Sequence, residues 1–146
     1  MAENDIEIDA PPERVWEVLA QPLLYDEWVI GAQTIRDADE SWPAPGSKLH
    51  HRTGVGPLAI DDETRVVEAD SPRRLVLEAR VRPLGVFPVV LELDPRPGGG
   101  THVRMVEEPD GALAKVPGTD TAIEARNTIS LRRLKQLAEE TTAARR

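Results

Sequence analysis

The chain has 146 residues, with 18 basic against 26 acidic side chains, a net charge of -8 and no cysteine. That length fits a single domain over residues 1–146, with its folded core at about 3–140, able to bury roughly two thirds of its surface without covalent staples. The lack of thiols excludes disulfides and thiolate-held metal, and the acidic balance opposes a nucleic-acid partner. No apolar run reaches the length of a bilayer span and no signal-peptide pattern precedes Asp5, so the chain is expected to be soluble and cytoplasmic, with no stable membrane insertion.

In chain order, "NDIEID" alternates Ile6 and Ile8 with acids, the pattern of a half-buried strand. Pro11-Pro12 stops it and opens a helix, because the missing N–H of proline costs nothing in a first helical turn. Val15, Val18 and Leu19 then share one face. After Gln21-Pro22, "LLYDEW" makes a second short helix that Gly31 ends. From Ala32 to Glu108 the period changes to two, with strands expected near 32–37, 47–53, 58–69, 74–81, 86–94 and 101–108. The separators "PAPG", "GVGP", "DSPR", "RPLG" and "PRPGGG" are turn material. Gly98–Gly100 precede a strand and not a helix, so they make a hairpin turn and not a phosphate cradle. After Pro117-Gly118 the helical period returns. Ile123, Asn127, Ser130, Leu134 and Leu137 share one face of a helix from about Thr121 to Glu140, and the tail after it frays. The basic run "LRRLKQ" in this helix reads as a solvated face.

The order is strand, two short helices, six strands, one long helix: an α+β chain. Six strands joined by short turns make an antiparallel meander. With the first strand, a seven-stranded sheet has one apolar face to bury, and only the last helix is long enough to cover it. The sheet must curve around that helix, with the two short helices closing one end, and such an arrangement leaves a cavity between sheet and helix.

The motifs "IDAPPERVWEVL", "PLLYDEW", Gly46 opening a strand, "TRVVEADSPRRLVLEARV" and the closing "SLRRLKQLAEE" together resemble the START-like (SRPBCC, Bet v 1-like) superfamily, and within it the bacterial polyketide cyclase/dehydrase branch. The resemblance runs over roughly residues 3–140 and rests on the order of the motifs, with "PPERVWEVL" the strongest. It implies the helix-grip fold and a deep pocket for an apolar or aromatic small molecule. Members of the superfamily include aromatase/cyclases, lipid and quinone binders and hormone receptors, so the fold does not set the function.

Strand parity nominates the inner wall. Leu75, Leu77, Ala79 and Val81 share one side, as do Phe87, Val89, Leu91 and Leu93. Val103 and Met105 carry Glu107 inward with them, and Leu49 carries His51 and Thr53 inward while His50 points out. The apolar positions are core packing or pocket wall, which pattern does not separate. Polar exceptions are more informative. Asn127 and Ser130 sit on the apolar face of the last helix, between Ile123 and Leu134, and buried polar groups need partners from the sheet or from a ligand. Tyr25 and Trp28, three residues apart on the second helix, lie at the expected pocket mouth, where a tyrosine hydroxyl can bond a polar ligand end. Trp16 reads as structural and Trp42 as part of the rim.

Adjacent His50 and His51 point to opposite faces and His102 points outward, so no metal site forms; HExxH, GxSxG and P-loop motifs are absent. The aromatase/cyclase members place an arginine with tyrosine and tryptophan inside the pocket. Here parity puts Arg65, Arg80 and Arg82 outside, and Arg126, flanking the inner face of the last helix, is the better candidate. The expected function is binding of a small hydrophobic or aromatic ligand, with no cofactor, as a monomer or homodimer. The alternatives are a cyclase or dehydratase using Arg126, Tyr25, His51 or Glu107, and a protein-interaction module. Convergence of at least two of those four side chains is the feature that separates enzyme from carrier.

Overall fold

The computed structural model describes residues 1–29, 34–53, 57, 60–81, 85–109 and 114–144. Strand β1 (Ala2–Ile8) leads into α1 (Pro12–Leu19), a single 3-10 turn at Pro22–Leu24, and α2 (Tyr25–Trp28). The meander follows as β2 (Thr34–Ala38), β3 (Lys48–Thr53), β4 (Ile60–Asp70), β5 (Arg74–Val81), β6 (Gly85–Pro95) and β7 (Thr101–Glu107), and α3 (Thr119–Ala144) ends the fold. The expected second helix is thus a 3-10 turn joined to one α-turn, because Pro22 and the residues after it leave room for little more. The last helix starts two residues before the expected Thr121, and its backbone runs on to Ala144, into the tail expected to fray. Gly31, Arg82, residues 32–33 and 58–59 of two expected strands, most of the turns expected at 54–57 and 82–85, and the side chains of Thr53 and Val81 lie outside the described residues.

All neighbours in the sheet are antiparallel, in the order β1-β7-β6-β5-β4-β3-β2. The meander is as expected. The place of β1, beside β7 with Ala2 opposite Glu107 and Ile8 opposite Thr101, is a pairing that local alternation does not encode. Register shifts at Ile35/Asp37 and Val66/Glu68 mark bulges, which bend strands and increase their twist. The sheet curves around α3, whose Leu131, Leu134 and Ala138 pack with Leu49, Val66, Leu75, Leu77, Leu91 and Val103 in one apolar cluster. This is the helix-grip arrangement.

The outer face is a lattice of exposed ion pairs. Arg104 bridges Glu3 at 2.7 Å and Glu92 at 3.1 Å, and Arg74 bridges Glu92 at 3.3 Å and Glu68 at 3.5 Å. Such pairs stabilise by little each in water, but they account for where much of the charge is spent. Arg65 belongs to the same face, 2.8 Å from Glu78, and Arg80 is exposed, as parity requires. Gly98 and Gly99 turn the β6–β7 hairpin at φ +94° and +96°, a region that strains any residue with a Cβ. Trp42 corrects its expected place on a rim: it is buried, and its indole N–H donates to the Leu19 carbonyl at 3.2 Å, tying the loop before β3 to the end of α1. Trp16 is buried in the main cluster. Among the described residues no helix is long and apolar enough to cross a membrane.

Candidate ligand site

The inner wall is apolar except where five elements bring polar side chains together. Helix α2 is short, so its packing against α3 and not its length holds it in place, and it presents Tyr25 and Trp28 inward. Strand β3 contributes His51, β4 contributes Asp62 and Thr64, β7 ends on Glu107, and α3 adds Arg126, Asn127 and Ser130. All are buried except Arg126, which is half-buried.

Two hydrogen-bonded groups result. In the first, the Tyr25 ring stacks on His51 with centroids 6.2 Å apart and planes at 22°, and it meets Trp28 edge-on at 5.7 Å and 69°. His51 Nε2 lies 3.1 Å from Thr64 Oγ1, and the Tyr25 hydroxyl bonds the same threonine. In the second, Arg126 Nη2 donates to Glu107 Oε2 at 2.5 Å, Arg126 Nε donates to Asn127 Oδ1 at 3.4 Å, and Asn127 Nδ2 donates to Glu107 Oε1 at 3.4 Å. The groups feel each other. Burial holds the Tyr25 proton above the usual phenol range; Thr64 and the Arg126 cation oppose that rise, and the Glu107 carboxylate adds to it.

Apolar side chains surround these groups in two sets. Leu49, Leu77, Val89, Leu91 and Met105 belong to the main cluster, while Phe87 and Ile123 pack with Ala2 in a smaller one. Glu107 stands between Ala2 and Val89 in register, where the two sets meet. A separate groove of about 260 Å³ opens beside the start of α1, between Pro11, Pro72, Arg73 and Arg96, and holds none of the polar cluster.

Residues 2–139 match the family described as polyketide cyclase/dehydrase and lipid transport. The chain belongs to that family. Solved structures share the fold of this cyclase/dehydrase and lipid-transport family member at low identity. A Rhodobacter sphaeroides protein is 22% identical with a TM-score of 0.71, over 95% of this chain and 93% of its own. An Arthrobacter aurescens protein is 17% identical with a TM-score of 0.74, over 94% and 85%. Ara h 8.0201 is 12% identical with a TM-score of 0.70, over 94% and 96%. No curated protein matches the sequence.

Within this family member, the structure brings together Tyr25, Trp28, His51, Glu107, Arg126 and Asn127 from the residues nominated by sequence. Glu107 is enclosed, because α3 covers it. Arg126 and Asn127 of α3 bond it, while His51 Nε2 lies against Thr64. Ser130 is buried one turn beyond Asn127. Sequence reasoning missed Asp62 and Thr64, at 2% and 0% exposure. Both share the parity of Val66, so the signal was present. Strand β4 has too few inward apolar residues to draw attention to its inner side.

Proposed function

We propose that the protein binds a small, mainly apolar or aromatic ligand between the sheet and α3, with the ligand's polar end at the Tyr25–Thr64–His51 and Glu107–Arg126–Asn127 groups. The observation that carries this is the concentration of buried polar side chains at one place on an apolar wall. A core needs none of them, and burying them costs free energy unless they are bonded. Ligand pockets have this make-up: apolar walls with a few converging polar groups. The family's association with polyketide chemistry and lipid transport agrees with it.

Native mass spectrometry of the protein purified from a bacterial host, followed by solvent extraction, tests the reading. A co-purifying apolar compound, or saturable binding of aromatic probes that weakens in Tyr25→Ala, is the expected result. An empty protein that binds no aromatic or acyl probe overturns it.

A second reading, a cyclase or dehydratase, is favoured by one observation: the Tyr25–His51 and Glu107–Arg126 groups are near enough to act on each other electrostatically, and Tyr25, His51 and Glu107 are proton-transferring types. It requires that a bound polyketide-like compound is converted, and that His51→Gln slows conversion more than it weakens binding.

A further inference from the structure

The charge balance of the cluster restricts which ligand end it accepts, an inference that rests on the binding reading above. Among the described residues, Arg126 is the guanidinium that reaches the cluster, and it is already engaged by Glu107 at 2.5 Å. The two partners differ in exposure: the Glu107 side chain is 4% exposed and that of Arg126 is 35%. A ligand carboxylate seeking this cation meets a protein carboxylate that cannot retreat into water. Two like charges on one guanidinium repel, and most strongly on the enclosed side where Glu107 sits.

Asp62 adds a second buried carboxylate. It sits directly across from His51 in register and two residues from Thr64. With His51 neutral, Arg126, Glu107, Asp62 and His51 sum to one negative charge; with His51 protonated they sum to zero. Neither state is positive. Arg14, whose guanidinium is buried, is on α1 and pairs with Glu17. Beside these charges the cluster presents neutral groups: the Tyr25 and Thr64 hydroxyls and the Asn127 amide. These match a carbonyl or hydroxyl, which needs hydrogen bonds and no counter-charge.

We infer that the site selects ligands whose polar end is neutral, such as a ketone, amide or phenol, and rejects carboxylates of the same shape. The test uses naphthamide and naphthoate, which share a ring system and nearly a shape and differ in charge. Titration calorimetry at neutral pH should show naphthamide binding at least about tenfold more tightly to the wild-type protein. Glu107→Gln frees the Arg126 guanidinium for a carboxylate, which it can hold through two parallel hydrogen bonds. In that variant the preference should move by about tenfold or more toward naphthoate. Equal binding of both probes to the wild-type protein, or tighter binding of naphthoate, overturns the selectivity and leaves ligand binding standing. Binding of neither probe overturns this inference, and the acyl and other aromatic probes then decide the binding reading by themselves. If Glu107→Gln does not fold, the wild-type comparison alone decides.

Discussion

Arg126 and Glu107 form a lopsided pair: 2.5 Å apart, with the carboxylate enclosed by α3 and β7 and the guanidinium one-third open to water. The asymmetry makes the two deletions unequal. Arg126→Ala strands a buried charge, whereas Glu107→Gln leaves a cation that can still turn to solvent. Enclosed pairs lose about 3–5 kcal/mol when one partner goes; the partial exposure of Arg126 reduces this to about 2 kcal/mol for Arg126→Ala. Urea denaturation should show that loss, and the double variant Arg126→Ala/Glu107→Gln should recover at least half of it. Equal losses from either single change would show that enclosure of the carboxylate does not govern the pair.

The chain has one tyrosine, so phenolate absorbance reports Tyr25 alone. Its proton is held more tightly in the folded state, chiefly because it is buried. Below about pH 10 both folded and unfolded chains are protonated and the contribution of this group is intact. As pH rises through that value the unfolded chain ionises first, so stability falls. The urea midpoint should drop above about pH 10, and the drop should be smaller in Tyr25→Phe. Native phenolate should appear only at higher pH than in free tyrosine; ionisation at the free value would contradict the buried placement.

Thr64 serves both Tyr25 and His51. Thr64→Val keeps the shape and removes the shared hydroxyl, which should cost about 1 kcal/mol of stability. Because the Thr64 hydrogen bond lowers the Tyr25 pKa, its loss should move phenolate formation to still higher pH. A simple packing role would change the stability without moving the titration.

Leu134 has no exposed surface and anchors α3 in the main apolar cluster. Leu134→Ala should cost about 3 kcal/mol through lost burial and the cavity left behind. Ile129, exposed on the same helix, should tolerate Ala with a change under about 0.5 kcal/mol. Chemical denaturation of both variants checks the contrast.

Local pattern made most of this architecture legible. Alternation exposes strands such as β5 to β7 because each has a wet face and a dry one, and Leu77, Leu91 and Met105 are all buried as parity requires. The same parity located His51 and Glu107, and helical spacing located Asn127 and Ser130. What stayed hidden was non-local. Nothing in "NDIEID" states that β1 lies against β7, and nothing around Arg126 says that it reaches back to Glu107, nineteen residues earlier. Asp62 and Thr64 escaped for a different reason: an inward strand face that is polar reads like an outward one. Trp42 was misplaced because a loop tryptophan has no periodicity, and its burial depends on a backbone carbonyl of α1.

The pairing of Ala2 with Glu107 has a consequence for how the protein is made. On the ribosome, β1 emerges before the meander, and its strand partner β7 emerges about a hundred residues later. At roughly 5–20 residues per second, the wait is about 5–20 seconds. Through it, the apolar side of Ile6 and Ile8 has no sheet to join and the meander has an unfinished edge. Contacts so distant in sequence also slow folding after release. The alternating acids of this strand, Glu3, Asp5 and Glu7, keep the waiting segment charged and so discourage neighbouring nascent chains from pairing with it.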